Sequence, residues 1–405
     1  MTRLCVIGIG ADGWDGLPEP VRERVRTADV VVGGERHLGL LPPVPRQRRH
    51  AWPSPLRGRL RSFLEDVAHG DVVVLASGDP LLSGIGTTLV RLYGEASVAV
   101  VPAVSSVTLA RARMRWSAEE TEVVTLVGRD PHLVLRALAP GRRILVLSSD
   151  ESTPTAVASL LVEAGYADSV LTVLGDLGTG AESRTQDTAA AWGDRTVPGL
   201  HVLAVECAQP SVPPLAVVGG LPDEAFEHDG QLTKRDLRAS AIARLVPLPG
   251  ALLWDVGAGA GSVGIEWMRV HPSAQAVAVE RDPGRAERIR RNAARLGVPG
   301  LEVVEGRAPD ALAGLPRPDA VFVGGGATGE GVLDACWDAL GDGGRLVVHG
   351  VTLETESVLA RWYDERGGEL ARLQVEHAAP IGGFTGWTPS RAVVQWAVTK
   401  SGGAA

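Results

Sequence analysis

A buried strand that ends in an acid and opens onto alternating glycines leaves a chain few folds to choose from. Leu252-Leu253-Trp254-Asp255-Val256-Gly257-Ala258-Gly259-Ala260-Gly261 is such a stretch. Its apolar half predicts a short strand, and Gly257, Gly259 and Gly261 leave no Cβ between the backbone and whatever lies across the turn. The residues that follow read as a helix. A strand–glycine turn–helix unit opens a parallel α/β sheet, and ligands bind beyond the carboxyl ends of such strands. Val277-Ala278-Val279-Glu280 is a second strand closing on an acid. Glu280 falls about 20 residues beyond the loop, where a carboxylate can take the hydroxyls of a bound ribose. A dinucleotide fingerprint needs a third glycine where this chain has Ser262, which disfavours a nicotinamide dehydrogenase. The chain shows no phosphate loop of the Gly-Lys-Ser/Thr kind.

Length and charge narrow the rest. A chain of 405 residues predicts two domains, each able to bury its own core. A net charge of −8 implies no general nucleic-acid surface. Cys5, Cys207 and Cys336 lie far apart in or beside apolar runs. They read as buried thiols in a reducing compartment, with neither a disulfide framework nor a zinc pattern. No run reaches membrane-spanning length and the N-terminus resembles no signal peptide, so the expectation is a cytoplasmic protein without membrane partners. The nine histidines are scattered, and no metal site is expected.

From the N-terminus, residues 3–10 and 29–34 read as strands that stop at glycines, with a helix over 20–28. Residues 42–61 mix prolines with Arg46, Arg48, Arg49, His50, Arg57, Arg59 and Arg61. Two readings stand: a solvated loop leading into a helix, or a basic rim for a polyanionic small molecule. Residues 71–76 form a third strand running into Ser77-Gly78-Asp79-Pro80-Leu81-Leu82-Ser83-Gly84. A strand at 98–101 leads to Pro102-Ala103-Val104-Ser105-Ser106, where Ser105 or Ser106 would cap the next helix. Further strands are expected at 123–127, 144–147, 170–174 and 201–204, with helical stretches such as 131–138 and 155–164. Ala208-Gln209-Pro210-Ser211-Val212-Pro213-Pro214-Leu215 reads as a semi-rigid linker. Beyond the glycine loop, residues 320–326 and 342–348 give fourth and fifth strands. Thr352-Leu353-Glu354-Thr355 is expected to continue from the fifth strand, and 392–398 to close the sheet.

The loop at 255–261 resembles the first motif of class I S-adenosylmethionine (SAM) methyltransferases. Val6-Ile7-Gly8-Ile9-Gly10, Ser77-Gly78-Asp79-Pro80 and Pro102-Ala103-Val104-Ser105-Ser106, in that order, resemble the tetrapyrrole methylases. Val32-Gly33-Gly34-Glu35-Arg36-His37-Leu38 is most similar to the branch acting in corrin biosynthesis. Residues 220–226 and 232–238 resemble the segment that precedes the SAM loop in the decarboxylating methyltransferase of that pathway. One departure is Ala11-Asp12-Gly13, where many tetrapyrrole methylases have Gly-Pro-Gly.

These resemblances imply an α/β chain: an N-terminal two-lobed tetrapyrrole methylase fold and a C-terminal Rossmann-like class I SAM methyltransferase domain. The expected bounds are 1–207, a linker at 208–219, and 220–405. They imply two SAM sites. One draws on Gly8, Gly10, Gly78, Asp79, Pro80, Gly84, Ser105 and Ser106; the other on Thr233, Gly257, Ala258, Gly259, Ala260, Gly261, Glu280 and Ala308. Thr233 has a second possible role as a helix cap. The implied substrate is a polycarboxylate tetrapyrrole of the corrin pathway, methylated at C-5 by the first domain and at C-15 by the second, which also decarboxylates it. That substrate favours the basic-rim reading of residues 46–61. Thr352 and Glu354 are candidates to handle a proton, an exposed turn being the alternative for Glu354. The resemblance also implies a homo-oligomer assembled through the C-terminal domain. Two other functions remain open, an RNA methyltransferase and a non-catalytic SAM-binding scaffold.

Overall fold

The computed structural model describes residues 4–56 and 58–401. Arg3 of the expected first strand and Arg57 of the basic stretch lie outside the described residues. The chain divides after Val212 into two units, with His132–Ala139 counted in the second.

The first unit opens with five short strands, β1 (Leu4–Ile9), β2 (Val30–Gly33), β3 (Arg48–Ala51), β4 (Val72–Ser77) and β5 (Val98–Val101). They pair in the order β3-β2-β4-β1-β5, and every pairing is parallel. Successive side chains of a strand point to opposite faces, so a continuous apolar run requires cover on both. Val6, Val30, Val32, Val72 and Val74 pack on one face, and Ile7, Val31, Val73 and Leu75 on the other. A second, mixed sheet follows, from β6 (Thr121–Thr125), β7 (Arg143–Leu147), β8 (Val170–Gly175), β9 (Ser183–Thr188) and β10 (His201–Glu206), in the order β6-β7-β10-β8-β9. The helix Ser106–Met114 joins the two sheets and buries Val107 and Ala110 against Leu145, Leu174 and Ala204 of the second.

In the second unit a seven-stranded sheet is built from β11 (Leu252–Val256), β12 (Gln275–Glu280), β13 (Glu302–Glu305), β14 (Ala320–Val323), β15 (Arg345–Gly350), β16 (Glu369–Leu373) and β19 (Val393–Thr399). Its order is β13-β12-β11-β14-β15-β19-β16. Six strands point the same way, and β19 runs antiparallel to its neighbours β15 and β16. The order reverses beside β11, which is where such a sheet opens a crevice for a ligand. A hairpin of β17 (Glu376–Ile381) and β18 (Phe384–Pro389) is inserted before β19.

Two local expectations are corrected. Residues 48–51 form an edge strand instead of loop, and Arg48, Arg49 and Arg61 donate to the carbonyls of His69, Pro42 and Leu92 respectively. The fifth strand of the second unit stops at Gly350, and Thr352 caps a helix, Leu353–Arg366, instead of extending the strand.

Candidate functional site

In the second unit the chain leaves β11 through three left-handed glycines, Gly257, Gly259 and Gly261, with φ of 69°, 59° and 74°. A Cβ on Gly257 would stand 2.7 Å from the carbonyl oxygen of Gly325, and one on Gly259 2.7 Å from that of Gln231. Both positions therefore exclude any side chain, on conformation and on space. Two carboxylates hold the loop. Asp255 is 1% exposed, and its Oδ2 accepts from the Gly264 backbone N–H at 2.9 Å, inside the first turn of the helix Ser262–Val270. Burial pushes its carboxyl up to about 7, with the charge of Glu280 adding to the shift. Glu280 ends β12, and its two oxygens accept from the N–H groups of Gly259 at 2.8 Å and Asp282 at 3.0 Å. Each carboxylate oxygen has a second lone-pair direction left for a ligand.

This loop borders a cavity of about 1370 Å³. Of the expected ligand-binding residues, Thr233, Gly257, Ala258, Gly259, Glu280 and Ala308 line it. Ala260 and Gly261 do not. Ala260 is buried and its carbonyl accepts from Asn292, while Gly261 lies against Ile289. Thr233 is free of the capping role: Lys234 occupies the N-cap of the helix Arg235–Leu245, and Asp223 accepts from the Arg235 N–H at 3.0 Å. Thr352 and Glu354 are not part of the lining. Thr352 accepts from the Thr355 N–H as a helix cap, and Glu354 is an exposed acid in the first turn. The same end of the sheet offers His349 and Val351 to the cavity instead.

Sequence reasoning also passed over the pair that holds the wall of this cavity. Arg238 has no exposed surface, and its Nε donates to Glu266 at 2.6 Å. Its Nη1 and Nη2 donate to the carbonyls of Thr233 and Leu221. Glu266 in turn accepts from the N–H groups of Gly220 at 2.6 Å and Leu221 at 2.8 Å. The ion pair thus clamps the segment before the glycine loop. A spacing of 28 residues between its members gave no sequence signal.

In the first unit the loops after β1, β4 and β5 knit together. The Gly78 N–H donates to Ile9 at 2.9 Å, and the Ala103 N–H donates to Gly78 at 3.1 Å. A Cβ on Gly8 would stand 1.9 Å from the Gly78 carbonyl oxygen, and one on Gly84 2.5 Å from that of Pro80. Asp79 accepts from the Leu81 N–H at 2.9 Å and turns the loop, while a Cβ on Gly10 would meet the Asp12 carboxylate. Ser105 caps the helix that Ser106 begins, accepting from Thr108 at 3.1 Å. All eight N-terminal candidates therefore lie in one cluster at the carboxyl ends of these strands. Beside it, Ser77 Oγ stands 2.9 Å from His37 Nε2 and accepts from Arg36 at 3.1 Å. Burial and the neighbouring Arg36 push the His37 imidazole down to about 4. Gly34-Glu35-Arg36-His37 was legible as a motif, but its contact with Ser77 across 40 residues was not.

Two family models match the chain: residues 3–191 match the one described as Tetrapyrrole (Corrin/Porphyrin) Methylases, and residues 224–400 the one described as Precorrin methyltransferase domain. A curated Sinorhizobium protein named precorrin-6Y C(5,15)-methyltransferase [decarboxylating] is 47% identical over 400 residues, covering 98% of this chain and 96% of its own. The chain belongs to the precorrin-6Y C(5,15)-methyltransferase family. A Mycobacterium tuberculosis protein of the same name is also 47% identical, over 98% of this chain and all of its own. The crystal structure of the C-terminal domain of precorrin-6Y C5,15-methyltransferase from Rhodobacter capsulatus is 41% identical, covers 46% of this chain and all of that domain, and superposes with a TM-score of 0.44. Members of the precorrin-6Y C(5,15)-methyltransferase family are thus matched along nearly the whole of this sequence, through both units. Among the described residues no helix is long and apolar enough to cross a membrane, and the three cysteines are buried and form no disulfide.

Proposed function

We propose that this chain holds two separate SAM sites and applies them to one corrin precursor. The first unit methylates C-5 of reduced precorrin-6 (precorrin-6B). The second methylates C-15 and removes the ring C acetate as CO₂, giving precorrin-8. The observation that carries this reading is the pair of glycine loop clusters, one at the end of each parallel sheet, both packed too closely to admit a side chain. When bound, SAM supplies an electrophilic methyl group on a cationic sulfonium. The cavity of the second unit fits it: Glu280 keeps acceptor capacity for a ribose, the glycines let backbone approach, and 1370 Å³ leaves room for part of a macrocycle.

The residues have to place the substrate, because a displacement of this kind depends on alignment along one bond. Reduced tetrapyrroles are electron-rich at their meso carbons, so no enzyme nucleophile is needed. Arg307 and Arg391 line the cavity and suit a polycarboxylate by forked hydrogen bonds. In the first unit Arg36 is the better candidate than the 46–61 stretch. Partial burial of its guanidinium lowers its pKa, and its hydrogen bonds run to Ser77 and His37. Arg36 lies outside the 46–61 stretch, so it replaces the basic-rim reading, whose Arg48, Arg49 and Arg61 are taken up by backbone carbonyls. Three buried cysteines outside any disulfide support work in the cytoplasm. We also propose a homo-oligomer through the second unit, supported by the hairpin residues Phe384 and Trp387, which are 82% and 72% exposed.

Incubation with SAM and reduced precorrin-6, followed by mass spectrometry, should show two methyl groups gained and one CO₂ lost. Calorimetry should find two SAM molecules per chain; a single site would overturn the two-site reading. Sedimentation of the Phe384→Ser/Trp387→Ser variant should show a smaller species than the parent.

A further inference from the structure

One imidazole is set into the wall of the C-terminal cavity, and the scheme above leaves it unused. His349 is the penultimate residue of β15, is 7% exposed, and lines the cavity with Gly257, Gly259 and Glu280. Its ring meets Phe322 of β14 edge-on, with centroids 5.0 Å apart. The antiparallel register of β15 and β19 places Gln395 opposite, 1% exposed, with its amide 3.0 Å from His349 Nε2.

The tautomer follows from what stands behind Gln395. Arg244 faces the other end of that amide with Nε at 3.0 Å and Nη1 at 3.3 Å, and Ser240 Oγ lies at 3.2 Å. A guanidinium has donors only, so the amide oxygen must face Arg244. The amide nitrogen then donates to His349 Nε2, which must accept. A proton on Nε2 would set two donors against each other in a buried site. The ring is therefore neutral and carries its single proton on Nδ1. Glu369 anchors the arrangement from outside, accepting from Arg244 Nη2 at 2.5 Å. Among the described residues Nδ1 has no hydrogen-bond partner, and it is not among the sealed polar atoms. His349 lines the cavity, so Nδ1 is its one ring nitrogen left to meet a ligand there.

We infer that His349 presents a fixed, uncharged donor, Nδ1–H, to an imine-type ring nitrogen of the tetrapyrrole, with Gln395 as the positioning residue that sets the tautomer. The inference rests on the proposed substrate class. An uncharged donor suits an uncharged acceptor, while the substrate carboxylates have arginines to meet. In the decarboxylation, the bond between the acetate methylene carbon and its carboxylate breaks, and CO₂ leaves. The electron pair passes through the conjugated ring to the imine nitrogen, where Nδ1–H steadies the growing negative charge. Water supplies the proton that replaces CO₂ on carbon. His349 itself gains and loses no proton overall.

Three variants of the full chain test this. His349→Leu should bind SAM in the second unit as the parent does, and should lose decarboxylation by about a hundredfold or more in kcat, the scale of one oriented donor. His349→Asn, whose amide nitrogen falls near the position of Nδ1, should recover most of that loss. Gln395→Glu accepts from Nε2–H instead of donating to it, so ¹⁵N-histidine spectra should show the proton moved to Nε2, with kcat reduced and KM little changed. A parent spectrum with Nε2 protonated would overturn the inference, as would a His349→Leu enzyme that decarboxylates at the parent rate. If the parent leaves reduced precorrin-6 unchanged, the substrate reading fails instead, and the spectrum still decides the tautomer.

Discussion

The two units end their parallel sheets in glycine loops, yet they hold those loops by different means. Around the first cluster the contacts are backbone to backbone: Gly8 on Gly78, Gly78 on Ser105, Gly84 on Pro80. Among the described residues no acid is buried in the first unit, whose buried polar groups are Ser105, Thr153, Ser169, Thr172 and His201. The second unit buries Asp255, Glu266, Glu280, Arg238 and Arg269. One site is shaped by close approach of main chain, the other by charges locked into hydrogen bonds. Steric changes should therefore damage either loop, and changes of charge should register in the second.

The largest effect should come from filling a loop. Gly259→Arg should abolish C-15 methylation and decarboxylation while leaving C-5 methylation intact, and Gly8→Val should do the reverse. A displacement of about 1 Å costs on the order of a hundredfold in rate, and a Cβ on Gly8 starts 1.9 Å from Gly78. Product masses read both, and loss of both methylations from either variant would erase the distinction between the units. Next, Arg238→Met leaves Glu266 charged and buried without its partner, which costs about 3–5 kcal/mol. Calorimetry should show the loss in the melting of the second unit alone. Matched carboxylate changes sharpen the comparison further. Glu280→Gln should weaken SAM binding in the second unit by roughly ten- to a hundredfold, the worth of a hydrogen bond to a charged group. Asp79→Asn keeps its acceptor for the Leu81 N–H and should leave the first site nearly unchanged.

The smallest expected effect is the one in which the units agree. Burial pushes both His37 and His349 from 6.5 down to about 4. Between those values the unfolded chain binds more protons than the folded one. The stability of keeping each ring neutral is then fully present above about pH 6.5 and is lost as pH falls toward 4. His37→Asn and His349→Asn should each flatten the fall of melting temperature between pH 7 and pH 4.5. A parent-like slope in either variant would deny the shift for that residue.

Much of the fold was legible in the sequence, because buried parallel strands are continuous apolar runs that stop at glycines. Residues 4–9, 72–77, 252–256 and 320–323 follow that rule. The edge strand β9 did not, since it reads Ser-Arg-Thr-Gln-Asp-Thr and is mostly exposed. Nor did the hairpin β17–β18, whose residues serve no core of their own unit. Among candidate site residues the glycines were legible because positive φ and close packing admit nothing else. Thr352 and Glu354 stand just after the fifth strand in the sequence, but the strand stops at Gly350 and Thr352 caps a helix, which makes them a helix start.

What the sequence alone determined is local: which segments are strands, which turns exclude a Cβ, and where an acid closes a strand. These depend on neighbours in the chain and on the sterics of single residues. The tertiary structure decided the rest. Strand register set His349 against Gln395, and helix packing set Arg238 against Glu266. It also turned Arg48, Arg49 and Arg61 toward backbone carbonyls. Such pairings join residues tens of positions apart, and their energy exists only once burial has stripped the water from both partners.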